Sequence, residues 1–414
     1  MNTPRLLLIS QPNSYRIAPY LVAAQQMGLE VLIGSRGEHS LATEVNQGLH
    51  LDLEDHETAL ADILEEARNR PFAGIIGSDD STVELAAHAA HRLDLPHNPP
   101  EAARITRRKD LARAHLMLAG CPVPSHCLID LSLPLQQQMA GLPWPCVIKP
   151  LNLSASRGVI RCDNADEFIA ARDRIRPIIA ESDDAFEQNH VLVEDYIDGC
   201  EVAYEGYLHN GRLQTLTIFD KPDPMEGPFF EETIYVTPSQ LDKQKQDLVK
   251  QRVQQACDAY GLTTGPIHAE LRINDKDAWI LEVASRTIGG DCARTLDSGT
   301  ERSLEQLTVS LAIGSPIAPA MPQDSRGVMM IPIRQGGLLK RVEGILAASK
   351  VPHIEKIDIA IANGHELIPL PEGNQYLGFI FARAESPDEV TESLRKAFAE
   401  LKFVTAPIFK LSSA

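Results

Sequence analysis

Two kinds of segment alternate through the first hundred positions. RLLLIS (5–10), EVLIGS (30–35) and FAGIIG (72–77) are short continuous apolar runs, as buried strands require. Between and after them, Ile17 to Met27, HETALADILEEARNR (56–70) and STVELAAHAAHRLD (81–94) read as helices. This alternation predicts a parallel, doubly wound, Rossmann-like sheet over residues 1–100. The first strand-to-helix turn, SQPNSYR, has no glycine to let the backbone approach a pyrophosphate, so the unit reads as a scaffold.

Beyond it the pattern changes twice. HNPPEAARIT (97–106) is broken by two prolines and reads as a junction, followed by a basic helix, RRKDLARAHLMLAG (107–120). CPVPSHCLI then runs extended, and from about Trp144 to Arg286 the chain is strand-rich, with one long helix expected over 241–261. In the last ninety residues VMMIPIR (328–334), IEKIDIAIA (354–362) and LGFIFARA (377–384) read as strands. SPDEVTESLRKAFAEL (386–401) reads as a helix opened by a serine cap. Three units follow, an α/β and α+β multidomain chain divided at about residues 100 and 320.

Composition narrows the function classes. With 39 Lys and Arg against 57 Asp and Glu, the net charge of −18 offers no diffuse basic field to nucleic acid or anionic lipid. Any anionic ligand must be held by a local cluster of donors. A 414-residue chain with 43% hydrophobic and 23% charged residues is of ordinary soluble globular composition, long enough to build a cleft between domains. The run Leu6 to Ile9 is too short for a signal peptide, and no apolar run approaches the ~18 residues that span a bilayer. Seven scattered cysteines without a CxxC pair suggest neither a disulfide framework nor a zinc knuckle, and point to a reducing cytoplasm.

The clearest chemistry lies in PIHAELRIN (266–274) and WILEVASR (279–286), alternating runs around the polar turn DKDA, which predict a hairpin. His268, Glu270 and Arg272 then share one face of the first strand, and Glu282, Ala284 and Arg286 one face of the second. Pairing about Lys276 sets Glu270 opposite Glu282. Like charges facing across a ladder are unfavourable unless a cation lies between them, and a magnesium ion is the natural candidate. The blander alternative turns one glutamate to solvent, paired with Arg272 or Lys276.

The order of features resembles the ATP-grasp superfamily of carboxylate-amine ligases: a lysine-bearing helix at Lys109, CVIKP with Lys149, the loop NLSASRGV (152–159), VLVEDYIDGCE (191–201), then the glutamate hairpin ending EVASRTIGGD. The segment FDKPDPMEGPFFEETIYVTPS (219–239) and the HxE spelling of His268 and Glu270 look most like the dipeptide-forming L-amino acid ligases. The resemblance implies a scaffold domain over 1–100, an ATP-grasp domain over 101–320 with a mobile lid at about 145–205, and a small α+β domain over 321–414. It implies Lys109 and Lys149 on the phosphates of ATP, Ser154, Ser156 and Gly158 in the lid loop, and backbone contacts from Glu194, Asp195, Tyr196 and Ile197 to the base. Glu201 falls on the ribose, Glu270 and Glu282 on magnesium (or manganese in its place), Arg286 on the acyl phosphate and His268 on substrate.

The loop with Asp220, Lys221, Glu231 and Glu232 is expected to cover the acceptor site, with a solvated loop as the alternative. The partners implied are small-molecule carboxylates and amines, with no nucleic acid and no membrane, and a homodimer is a family expectation. Two departures stand out: Ala155 where the family often has glycine, and Ala284 where many members have asparagine, which removes one metal oxygen. Competing assignments are a purine-pathway or biotin-carboxylase-like member, and an ATP-binding regulatory module without turnover.

Overall fold

The computed structural model describes residues 3–12, 14–36, 48–297 and 302–408. The first unit is a parallel sheet of β1 (Arg5–Ile9), β2 (Glu30–Ser35), β3 (Gly48–His50) and β4 (Gly74–Gly77), in the order β3-β2-β1-β4. Helices Ile17–Gln26, His56–Asn69 and Val83–Arg92 flank it, close to the expected spans. HNPPEAARIT is a correction. Instead of a bare junction it opens a helix, Pro100–Arg107, because proline at the first helical position gives up only an N–H that has no intrahelical partner anyway.

The second sheet holds the segment expected as a lid: β5 (His126–Asp130), β6 (Cys146–Lys149), β7 (Ile160–Cys162) and β8 (His190–Asp195), ordered β5-β8-β6-β7. It draws on 126–195, starting earlier than the expected 145. A second long helix, Ala165–Ile179, was not anticipated. Asn164 caps it, and Phe168, Ala171 and Ile175 pack onto Ile148, Val191 and Val193.

The largest sheet runs through β9 (Cys200–His209), β10 (Arg212–Asp220), β11 (Ile234–Thr237), β12 (Gly265–Ile273), β13 (Ala278–Ala284), β14 (Ser325–Ile331), β16 (Ile354–Ile359) and β18 (Gly378–Ala384). Its order is β13-β12-β9-β10-β11-β14-β18-β16, so the last ninety residues extend the central sheet through the β11–β14 ladder. A small separate sheet takes β15 (Gly337–Glu343), β17 (Glu366–Leu367) and β19 (Lys402–Ala406). The long helix, Lys243–Tyr260, starts at the Asp242 cap and stops at Gly261 in the left-handed region, φ 78°. Its buried Val249, Val253 and Ala256 cover Leu271 and Ile280 of the hairpin. Helix Pro387–Glu400 opens with the Ser386 capping box as expected.

Gly199 joins the second sheet to the central sheet at φ 109°, and a Cβ there would press on the carbonyl of Ile273. Gly199→Ala is therefore expected to destabilise the protein by about 1–3 kcal/mol, as chemical denaturation would read. An unchanged unfolding free energy would show that this junction tolerates a side chain.

Candidate active site

A cleft of about 1220 Å³ opens where the lid, the β12–β13 hairpin, the C-terminal ends of β1 and β4, and the loops at 360–361 and 374–376 meet. The residues expected at the site line it: Lys109, Lys149, Ser154, Ser156, Glu194, Asp195, Tyr196, Ile197, Glu201, His268, Glu270, Glu282 and Arg286. Gly158 does not. Its N–H donates to the Pro371 carbonyl at 2.9 Å, so in this arrangement it ties the lid loop to the C-terminal segment instead of facing the cleft. Arg157 does the same through Glu372 O at 2.9 Å. Ala155 and Ser156 both sit at φ 55°, the left-handed conformation that explains why glycine suits this loop.

In the hairpin, Glu270 pairs directly with Glu282, and His268 with Ala284. The expected register holds there and then slips: Leu271 pairs with Ile280, leaving Leu281 as a bulge. That bulge presents the Leu281 carbonyl to Arg113 Nη2 at 2.8 Å. The two carboxylates are held by different lysines, Glu282 by Lys109 at 3.6 Å and Glu270 by Lys221 at 3.3 Å. Arg272 is taken by Glu201 at 2.9 Å, so the solvated alternative, with a glutamate paired to Arg272 or Lys276, is not what the hairpin adopts.

Burial alone would raise the Glu270 carboxyl, but the Lys221 ammonium and then His268 outweigh it and hold it at about 2. For His268, burial would push the imidazole down. Hydrogen bonding to Glu205 at 3.2 Å and the facing Glu270 at 3.7 Å reverse that and lift it to about 9, so it carries a proton at neutral pH. Arg286 is fixed by Asp80 at 2.7 Å and by the Thr287 carbonyl at 3.0 Å.

Where the second sheet passes into the central one, the Asp195 N–H goes to Ser125 O and that of Tyr196 to Pro145 O, while the Ile197 carbonyl accepts from Arg272 at 2.8 Å. Among the described residues only the Ile197 N–H of these three has no partner. The Glu194 side chain turns inward, between buried Arg113 and Lys149. Burial would raise its carboxyl, and the two cations override this to hold it at about 2.

Several contributors were not anticipated. The N-terminal unit, read as a scaffold, supplies Tyr15, Arg16, Asp79, Asp80 and Ser81 to the cleft. The signal was present in GSDDS at the end of β4, because ligands of open parallel sheets sit beyond the carboxyl ends of the strands. In the 219–239 segment, Glu232 lines the cleft, but Asp220 is spent on Ser239 and Gln240 at the turn after β11. Lys221 lies behind the wall.

Fold and site together define an ATP-grasp protein, and the chain belongs to the ATP-grasp superfamily. Its segments match, in order, the ATP-grasp N-terminal domain (21–97), the ATP-grasp domain (142–295) and the L-amino acid ligase C-terminal domain 2 (329–406). The crystal structure of the L-amino acid ligase from Bacillus licheniformis has the same fold, with a TM-score of 0.81 at 24% identity over 98% of this chain and 100% of that one. Carnosine synthase 1 of Gallus gallus is 28% identical over 79% of this chain and 37% of its own length. Alanine–anticapsin ligase of Bacillus subtilis is 25% identical over 57% of this chain and 54% of its own. The chain thus spans only about a third to a half of these curated relatives. Among the described residues no helix is long and apolar enough to cross a membrane.

Proposed function

We propose that this chain is an ATP-dependent ligase that activates a carboxylate, most simply that of an amino acid, as an acyl phosphate and couples it to an amine. The products are an amide or dipeptide, ADP and phosphate. The observation that carries this reading is the Glu270–Glu282 pair, side by side on the hairpin in one cleft with Lys109, Lys149 and Arg286. Both carboxylates keep part of their surface open to the cleft, and such oxygen donors suit magnesium, or manganese in its place. When bound, that ion would neutralise charge on the phosphate oxygens. Ala284 leaves the two glutamates as the oxygen ligands this hairpin offers.

The remaining work falls to the chain's own groups. Lys149, fixed by Glu194, and Lys109, whose ammonium donates to Leu153 O at 2.6 Å, place two cations along the triphosphate. The Ile197 N–H faces the base, and Glu201 the ribose. Arg286 has one edge taken by Asp80; among the described residues its Nη2 has no partner and can meet the acyl phosphate and the tetrahedral adduct. The 152–159 loop, clasped to 371–372, excludes the water that would hydrolyse the acyl phosphate. The seven free thiols fit a reducing cytoplasm.

Purified protein given Mg·ATP and a pooled set of amino acids should release phosphate only when acid and amine are both present, with a new amide mass in the product spectrum. A broad screen that yields no amide would remove the ligase assignment.

A further inference from the structure

Lys221 directly follows β10 in the segment expected to cover the acceptor site, yet it does not reach the cleft. Its side chain is 2% exposed, against 28% for Glu282. The ammonium lies 2.8 Å from Glu201, 2.7 Å from Glu232 and 3.3 Å from Glu270. Oxygens of these three carboxylates fall within 4.8 Å of one another, the spacing that would let them share a metal ion. The other sides of the cluster are closed by hydrogen bonds: Arg272 Nε to Glu201 at 2.9 Å, Tyr235 Oη to Glu232 at 2.6 Å, and Tyr376 Oη to Glu232 at 3.1 Å. One cation therefore sits at the centre of three acids that serve different parts of the cleft. Glu201 is at its ribose end, Glu270 is on the metal-bearing hairpin, and Glu232 reaches the C-terminal segment through Tyr376.

We propose that Lys221 is a positioning residue that takes the place a divalent cation would occupy among Glu201, Glu232 and Glu270. It thereby keeps that trio metal-free and leaves Glu270 to offer its cleft-side oxygen, together with Glu282, to the ion that arrives with nucleotide. The inference rests on the nucleotide-and-metal reading of the cleft. A tethered ammonium is cheaper to keep there than a free ion, since it pays no translational entropy each time the site is refilled. Without it, three clustered carboxylates, one buried and two partly open to the cleft, would compete with Glu282 for the metal.

The test uses the full chain without nucleotide, titrated with Mn²⁺ and followed by the electron paramagnetic resonance signal of the free ion. Lys221→Met should bind one additional Mn²⁺ per chain, with a Kd at least about tenfold below any wild-type site. Mn²⁺ at a concentration that fills only the added site should raise the Tm of that variant and not that of the wild type. Lys221→Arg, which restores the charge, should return to the wild-type stoichiometry, a rescue that loss of packing alone does not produce. If the single variant does not fold, Lys221→Met/Glu232→Gln keeps the wild-type net charge of the cluster and three oxygen donors, and it should still gain a weaker site. A folded variant that binds no more Mn²⁺ than the wild type, or a wild type that already binds Mn²⁺ on the trio, overturns the proposal. Because no ATP is present, that outcome is separate from a failure to form amides.

Discussion

Glu282→Gln is expected to lower the rate of amide formation at least about a hundredfold, since even the outer partners of a metal ligand are worth about 10–100-fold. It should change the unfolding free energy by no more than about 1 kcal/mol. The two effects separate because of where the carboxylate lies. It faces the cleft, partly exposed, and its cationic neighbour Lys109 is independently anchored on Leu153 O, so removing the charge strands nothing in the interior. An ADP-release assay with paired substrates, alongside urea unfolding, reads both quantities. Full activity in the variant would mean the facing glutamates do not serve phosphoryl transfer, and nucleotide binding with unchanged metal dependence would favour a regulatory module.

The opposite balance is expected one layer deeper. Glu194→Gln leaves Arg113 and Lys149 buried beside each other without a counter-charge, and losing one member of such a cluster costs about 3–5 kcal/mol. Stability should fall first, and the KM for ATP should rise because Lys149 loses its anchor. The same group makes a pH prediction. Its carboxyl is depressed in the folded protein from the ordinary 4.5 to about 2, so its stabilisation is complete above 4.5 and lost as the pH falls toward 2. Wild-type stability, measured by denaturant at stepped pH, should drop through that window more steeply than that of Glu194→Gln. Parallel curves would show that the cluster is not ionised as described.

Much of this architecture is legible from local pattern. The βαβ alternation, the long helix ending at Gly261 and the opposition of Glu270 and Glu282 follow from spacing alone, because strand and helix periods fix which side chains share a face. What escaped was set by tertiary partners. Nothing in VLVEDYIDG says that Glu194 turns inward, since that depends on Arg113, far away in sequence and brought beside it by packing. Lys221 reads as a polar loop residue until β9, the stretch leading into β11, and β12 deliver three acids around it. Asp80 is not singled out by the sequence, because the glycine-free first turn marks its domain as a scaffold. The helix at 165–179 was passed over although Asn164 and two acids open it, because the strand-rich surroundings dominated the local reading.

The β11–β14 ladder, which pairs Ile234 with Met329 and Thr237 with Arg326, has a practical consequence for engineering. Transplanting the last ninety residues from a relative would cut through the middle of a hydrogen-bonded sheet, and a donor strand that fails to pair with β11 would leave raw edges inviting self-association. Swaps meant to alter substrate choice are better confined to the cleft-lining turns near Ile361 and Tyr376, which can be exchanged with every rung left in place.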